Sequence, residues 1–240
     1  MAKTLFEAIG YTLGRKAAQA KNAFDLMGGS EEESLRAEIR LGRDLAEALL
    51  ERTPLLQENE STKFTAHILR WLSAKVTEKK LPFNVHVTAD REPNALALPG
   101  GPILLSWPLL QLCDGQRDEI AFLLGHEMAH IVCRHALDRL VKNAAVSLLL
   151  RKSTGRGAAN SWLRHAGQQE LNRAYSREDE LQADTFSVTL LKTAGGDTDA
   201  AERVLQKLAQ HVSDRGGSTS DYFVGHPHFS ERIANVRRTP

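Results

Sequence analysis

The chain has 240 residues and a formal net charge of +1, with 31 basic and 30 acidic residues mixed along its length. This balance gives no electrostatic reason to expect a nucleic acid or an anionic membrane surface as a partner. The chain is long enough to bury a hydrophobic core as one domain, or as one domain with an appendage. Its two cysteines, Cys113 and Cys133, show no disulfide spacing, and we expect Cys133 to be a small buried apolar residue.

The N-terminus carries no export signal in its composition. Residues 1–7 lack the apolar segment and the small-residue cleavage site of a signal peptide, and no apolar run is long enough to span a bilayer. We therefore expect a cytoplasmic protein without a transmembrane segment. A leader lost from a longer precursor is the alternative, and it would place the protein in the periplasm or at a membrane.

Helical patterns dominate the first third of the chain. Ser30, with Glu33 three residues later, forms a capping box that starts a helix with a clear apolar stripe. A second amphipathic helix is predicted over residues 61–79. We predict that residues 1–60 form a helical segment that packs on a main domain comprising residues 61–240.

The middle of the chain predicts a small sheet beside a long helix. Residues 83–88 alternate apolar and polar side chains, as a half-buried strand does, with His86 on the exposed side. Two apolar runs, 94–98 and 103–106, flank a Pro/Gly turn and predict a hairpin. The following helix is predicted to run from about residue 114 to residue 150.

The C-terminal half is predicted to be mainly helical. Its composition indicates a mobile loop over residues 153–160 and a flexible stretch over residues 213–221. The predicted helices occupy residues 161–175, 176–193 and 197–212, followed by a short helix that starts near Ser230.

The strongest functional signal is the motif H-E-x-x-H, formed by His126, Glu127 and His130 inside an apolar, helix-like run. Residues four apart lie on one face of a helix, so His126 and His130 can direct two imidazoles at one metal ion. Glu127 follows the first histidine directly, which places its carboxylate beside a water that such a metal would hold. This arrangement is typical of a zinc peptidase, with two histidine ligands and a general base.

A catalytic zinc requires a third protein ligand, and the best downstream candidate is Glu180. Glu180 and Asp184 are four residues apart and share a helix face. The first would bind the metal, and the second would accept the free ring N–H of a ligand histidine. Acid-rich stretches are also typical of solvated helix faces, which we expect of Glu178 and Asp179. From the residues alone, both interpretations of Glu180 stay open.

His226 is a further candidate, because it lies directly before Pro227 and far from any apolar periodic segment. A loop histidine in that place has little packing reason to be there. It would occupy the open fourth position of the metal at rest, or it would donate a hydrogen bond to the oxyanion during turnover. The alternatives are an ordinary surface histidine, or the same role for its neighbour His228.

Taken together, these segments resemble the M48 family of zinc metallopeptidases. The resemblance spans residues 94–233 and rests on four segments in the family's order: Asn94 to Gly101, H-E-x-x-H followed by Arg134-His135, Tyr175-Ser176-Arg177 running into Glu180 to Asp184, and Gly225-His226-Pro227 followed by Glu231-Arg232-Ile233. The helix that contains Leu41-Gly42-Arg43 also resembles the soluble bacterial members. The sequence lacks the transmembrane helices of the membrane-embedded branches, so the resemblance implies the soluble bacterial type.

The resemblance implies an α+β, zincin-like fold that is mostly helical, with a small antiparallel sheet next to the H-E-x-x-H helix. It implies one zinc ion per chain with three protein ligands, His126, His130 and Glu180. Glu127 is then the general base and acid, and Asp184 supports a ligand from behind. The resemblance also supports a histidine at position 226, with Arg232 behind it as a second positive group.

We therefore predict a zinc metalloendopeptidase that hydrolyses extended or unfolded polypeptides in protein quality control. The strand formed by Asn94, Ala95, Leu96 and Ala97 would hold the substrate as an added antiparallel strand, unless its apolar residues simply belong to the core. The alternative function is a zinc-containing, chaperone-like or adaptor protein that binds unfolded chains without cleaving them. Glu127 argues against that function. An open ligand position argues against a purely structural zinc site, which closes all four positions.

Overall fold

A computed structural model describes residues 30–76, 81–141, 155–167, 171, 173–214 and 225–239. The stretch up to residue 29, the predicted helix over residues 142–150 and most of the predicted flexible stretch at 213–221 lie outside the described residues. Within them the chain is mostly helical with one small sheet, which confirms the predicted α+β class.

The described helices are α1 (Glu31–Leu50), α2 (Glu60–Ser73), α3 (Trp107–Leu112), α4 (Arg117–Val132), α5 (His135–Val141), α6 (Gly155–Trp162), α7 (Arg177–Ala194), α8 (Asp199–Asp214) and α9 (Phe229–Val236). A π-helical turn over Leu163–Gly167 follows α6. The strands are β1 (Asn84–Thr88), β2 (Ala95–Ala97) and β3 (Pro102–Ser106). In the part of the chain described, no helix combines the length and the apolar character that crossing a membrane requires.

The strands form a mixed sheet in the order β1-β3-β2. β3 pairs in parallel with β1, with Val85 opposite Ile103, and in antiparallel with β2, with Leu96 opposite Leu104. The predicted hairpin is confirmed, whereas the prediction of an antiparallel sheet is wrong. After β1 the chain passes to the far side of the sheet to form β2. It then reverses into β3 between the two, so β3 runs in the direction of β1.

His86 is half-buried rather than exposed as predicted. Helix α2 packs against β1, and the segment at Leu55 forms a bridge with Thr88, so neighbouring elements cover this strand. Burial lowers the pKa of His86 below its ordinary value. The alternating pattern located the strand correctly, but it carried no information on what packs against β1.

Helix α1 packs directly against the turn of the β2–β3 hairpin. A Cβ atom on Gly42 would lie 1.7 Å from the carbonyl oxygen of Pro99, so only glycine permits this approach. In the turn itself, Gly100 has a φ of 75°, which glycine adopts without strain. Leu41 and Leu45 of α1 share a buried hydrophobic cluster with side chains of the hairpin, α5 and α6. The boundary at residue 60 stays a prediction.

The helix that carries H-E-x-x-H is shorter than predicted: α4 ends at Val132, whereas the prediction extended it to residue 150. Arg134 has a φ of 62°, a left-handed conformation that interrupts helical hydrogen bonding, and α5 begins at the next residue. The chain therefore turns a corner instead of continuing as one helix. Cys133 lies at this corner and is partly exposed, so the prediction that it is buried is wrong.

Two further predictions fail between α5 and α7. Residues 155–160 belong to α6 rather than to a loop, because the buried side chains of Trp162 and Leu163 anchor this helix in the same cluster as α1. Residues 173–176 are not helical, so the helix predicted over residues 161–175 does not reach its predicted end. The later helices α7, α8 and α9 lie where the sequence predicts them.

Candidate active site

Helix α4 is buried along nearly its whole length, which is unexpected for a helix with two histidines and two glutamates. It packs against α7 more extensively than any other described pair of elements does. At the crossing, a Cβ atom on Gly125 would lie only 2.5 Å from Ser187 Oγ, and that hydroxyl donates a 2.7 Å hydrogen bond to a backbone carbonyl of α4. The close approach brings the first turns of α7 against His126 and His130.

Four side chains converge at one point: His126 and His130 from α4, Glu180 from α7, and His226 from the segment before α9. The Nε2 atom of His126 lies 3.1 Å from His130 Nε2 and 3.2 Å from His226 Nδ1. Glu180 Oε1 lies 3.3 Å from His130 Nε2 and 3.0 Å from His226 Nδ1. None of the four is more than 3% exposed. The structure thus brings the three predicted ligands and His226 together.

These separations fit a shared metal ion. Two ligands on a tetrahedral zinc, with bonds of about 2.0–2.1 Å, lie roughly 3.3 Å apart, and zinc accepts both imidazole nitrogen and carboxylate oxygen. The Nε2 atoms of His126 and His130 face each other inside a buried site, where a cation satisfies both lone pairs at once. Burial lowers the pKa of His130 well below its ordinary value, against the opposing effect of Glu180. The neutral imidazole is the form that binds a metal.

Glu127 lies beside this cluster and is 1% exposed. Its Oε1 atom lies 3.7 Å from His226 Nε2, whereas its Oε2 atom has no hydrogen-bond partner among the described residues. A buried carboxylate oxygen without a partner is costly unless a bound water or ligand uses it. The free oxygen therefore points to a partner that enters the site.

Asp184 and Arg232 contact the side chains of the cluster through hydrogen bonds and ion pairs. Asp184 Oδ1 lies 2.9 Å from His126 Nδ1, and the fully buried Arg232 donates two hydrogen bonds of 2.8 and 2.9 Å to the same carboxylate. Arg232 also forms an ion pair of 3.0 Å with Glu180 and approaches the His226 carbonyl oxygen at 3.4 Å. Burial raises the pKa of Asp184, but the guanidinium of Arg232 and the contact with His126 together outweigh burial, so the pKa is lowered. Burial likewise raises the pKa of Glu180, but His226, Arg232 and His126 lower it well below its ordinary value, so both carboxylates stay ionised.

We expect Asp184→Asn to weaken zinc binding by about 10–100-fold. The amide keeps the shape of the side chain but loses the charge that faces His126 and Arg232, and its NH₂ group is a donor where two donors already point. Competition titration against a chromophoric chelator measures the effect, with Asp214→Asn at an exposed position of α8 as the matched control. Equal affinities in the two variants would show that Asp184 orients no ligand.

Two residues that contact His130, namely Tyr175 and His135, had no predicted role. Tyr175 stacks on the ring of His130, with centroids 3.7 Å apart, and Arg139 lies 4.3 Å from the centroid of the same tyrosine ring. The Tyr175 N–H donates a 3.1 Å hydrogen bond to the Gly225 carbonyl, which ties down the segment before α9. His135 lies against His130 on another side. Both residues fall in segments that carry the resemblance, but spacing along the chain predicts neither contact.

The predicted substrate strand lies near the site without contributing to the metal cluster. β2 is at one end of the strand order and contacts α4. Ala95 and Ala97 are buried, while Asn94 and Leu96 are partly exposed. The structure therefore places Ala95, Leu96 and Ala97 at one edge of the sheet that the described residues form, with Asn94 directly before the strand, and the role of all four in binding stays a prediction.

Two neighbouring predictions have different outcomes. His228 is exposed at the start of α9, outside the metal cluster, so His226 rather than His228 reaches the site. Glu178 is exposed as predicted, but Asp179 is only partly so. Asp179 accepts a hydrogen bond from the Ser176 N–H as part of a capping box, and it lies 3.4 Å from His135.

A helix with two histidines and a glutamate at this spacing, a carboxylate from a second helix and a small sheet alongside define a metallopeptidase. The chain belongs to peptidase family M48, whose family model matches residues 58–239. This result confirms the resemblance drawn from the sequence.

Relatives of the chain are named as proteases. The chain is 27% identical over 180 residues to the mitochondrial metalloendopeptidase OMA1 of Schizosaccharomyces pombe, and the match covers 73% of this chain and 52% of the relative. It is 28% identical over 180 residues to the metalloprotease YcaL of Escherichia coli, covering 73% and 68%. It is 25% identical over 215 residues to the beta-barrel assembly-enhancing protease of Yersinia pestis, covering 85% and 44%. The chain thus spans about half the length of most of these relatives.

Proposed function

We propose that this chain is a zinc-dependent metalloendopeptidase that cleaves peptide bonds in extended or unfolded polypeptides, with a role in protein quality control. The observation that carries the proposal is the convergence of His126, His130 and Glu180 next to Glu127, whose second oxygen has no partner among the described residues. The names of its relatives, which are proteases, support the reaction class.

In the proposed mechanism His126, His130 and Glu180 hold the zinc. A zinc ion bound there supplies Lewis acidity, which polarises the scissile carbonyl and lowers the pKa of water to about 7. Glu127 accepts the proton of the attacking water on Oε2, which has no hydrogen-bond partner among the described residues, and then delivers it to the leaving amine. Asp184 accepts the Nδ1–H of His126 and so leaves Nε2 of that ring free for the metal.

We assign His226 to the resting site. Its Nδ1 atom lies 3.2 Å from His126 Nε2 and 3.0 Å from Glu180 Oε1. This position favours a role for His226 as a fourth metal ligand in the enzyme without substrate. Its Nε2 atom faces Glu127 at 3.7 Å, so the same ring screens the base. A substrate carbonyl needs that space, and His226 must withdraw before cleavage. The alternative, a hydrogen bond from His226 to the oxyanion, requires the ring to turn away from the other donor atoms.

We expect His226→Ala to keep zinc but lose it faster to chelators, with activity equal to or above that of the wild type. Removing the ring takes away one donor and opens the site to small competitors. Chelator-dependent inactivation and steady-state kinetics measure the two effects, and His228→Ala at an exposed position is the matched control. A decrease in kcat of about 10²–10³ with unchanged chelator sensitivity would instead support the oxyanion role.

We propose that substrate binds along the edge of β2 as an added antiparallel strand. This position supports the proposal because β2 lies at one end of the strand order and contacts the helix that bears the ligands. Binding through the backbone tolerates many side chains but requires an extended, locally unfolded chain. Folded proteins without such segments should therefore resist cleavage.

The decisive experiment combines metal analysis with cleavage of a casein-type disordered substrate. The proposal predicts one zinc per chain and fragments that disappear on chelation and return with added zinc. The alternative chaperone-like or adaptor function predicts zinc and binding of the disordered substrate without fragments. Absence of both zinc and cleavage from correctly folded protein would overturn both functions.

A further inference from the structure

The two histidines proposed to bind the metal have chemically different hydrogen-bond partners. His126 contacts the carboxylate of Asp184, whereas His130 contacts a second imidazole. The Nδ1 atom of His130 lies 3.1 Å from Nδ1 of His135, the first residue of α5. The Nε2 atom of His135 lies 3.0 Å from Gln182 Oε1 on α7 and 3.4 Å from Asp179. His135 is 4% exposed, so its contact with His130 is shielded from water, whereas Gln182 and Asp179 are partly exposed.

The proton positions along this chain follow from the proposed metal site. If His130 binds zinc through Nε2, its Nδ1 carries a hydrogen and must donate. His135 then accepts on Nδ1, which leaves its own hydrogen on Nε2. That N–H donates to the Gln182 amide oxygen, an acceptor. Every contact in the series has one donor and one acceptor, and reversing any of them leaves two donors or two acceptors facing each other.

We propose that His135 is a positioning residue that fixes the tautomer and the ring orientation of His130, and that Gln182 fixes His135 in turn. The inference rests on the proposed function of the site. His126 contacts the carboxylate of Asp184, whereas His130 contacts the imidazole of His135. The two ligands thus differ in how strongly their partners increase their basicity.

The corner between α4 and α5 places His135 where this role requires it. Arg134 has a left-handed backbone conformation, which changes the direction of the chain after α4. The next residue, His135, therefore lies beside His130 of α4. The Arg134 side chain forms an ion pair of 3.2 Å with Glu38, which is 2% exposed on α1. Helix α1 lies outside the residues that the family model matches. An element beyond the matched domain therefore contacts the corner that positions the ligand.

The test compares His135→Leu with His135→Asn. Leucine removes the acceptor, and zinc affinity by chelator competition should fall by about 10–100-fold. Asparagine offers an oxygen close to the position of Nδ1, so it should restore most of the affinity. His67→Leu, at an exposed position of α2, is the matched control and should bind zinc as the wild type does. Equal losses for leucine and asparagine would indicate a packing role and overturn the proposal.

A second test uses the wild-type protein alone, so its result does not depend on whether the His135 variants fold. In zinc-loaded protein with ¹⁵N-labelled histidine, nuclear magnetic resonance should show His130 protonated at Nδ1 and His135 protonated only at Nε2. A proton on Nδ1 of His135 would overturn the proposal, because that ring would then be a donor toward His130. Wild-type protein that binds no zinc would refute the proposed function itself. Normal zinc affinity in folded His135→Leu would refute only the role of His135.

Discussion

Glu127→Gln is expected to fold and bind zinc as the wild type does, but to lose peptide hydrolysis. The glutamine side chain has nearly the same shape and keeps an oxygen near the site, but it cannot take a proton from water. General base catalysis contributes about 10²–10⁴-fold to a rate, so the variant should fall by at least 10²-fold in kcat. The residue is 1% exposed and one of its oxygens has no described partner, so the change breaks no hydrogen bond that the structure records.

The measurement pairs zinc content with initial rates on a disordered substrate. Glu178→Gln is the matched control, because Glu178 is exposed on α7. The substitution removes the same negative charge at a position away from the cluster. The control should keep wild-type activity. Turnover of Glu127→Gln within tenfold of the wild type, with zinc bound, would exclude Glu127 as the base.

The side chains proposed to hold the metal could be located in two pairs, because the geometry within each pair is local. His126 and His130 are four residues apart in a helix, and so are Glu180 and Asp184, so each pair shares a face before any tertiary structure is known. The helix that carries the second pair was predicted from residue 176, and in the structure it begins at Arg177 with Ser176 as its N-cap. The choice of Glu180 as a ligand, and with it the meeting of the two helices, needed the resemblance to a family.

The residues that the sequence did not assign act through tertiary contacts. Tyr175 reaches His130 by stacking from a non-helical segment, and no periodic pattern predicts such a contact. His135 depends on a left-handed φ at Arg134, a conformation that an arginine rarely adopts and that no composition rule predicts. The parallel pairing of β1 was missed for a related reason. Strand direction depends on the path of the chain between strands rather than on the strands' own residues.

Removal of either of two proposed ligands, in His126→Ala or Glu180→Ala, is expected to abolish stoichiometric zinc binding and, with it, activity. His126→Ala deletes one of the donor atoms at the cluster and leaves Asp184 paired only with Arg232 among these groups. Glu180→Ala deletes the anionic donor and leaves Arg232 without one of its two carboxylate partners. Zinc content measured after dialysis against metal-free buffer gives the stoichiometry directly.

Stability measurements separate loss of metal from loss of fold in these variants. A ligand present at 100 times its Kd stabilises the native state by about 2.7 kcal/mol, so added zinc should raise the Tm of the wild type and leave both variants unchanged. His67→Ala and Glu178→Ala remove the same side chains at exposed positions and should respond to zinc as the wild type does. If both His126→Ala and Glu180→Ala keep one zinc per chain and the zinc-dependent increase in Tm, the metal lies elsewhere and the assignment of the site is wrong.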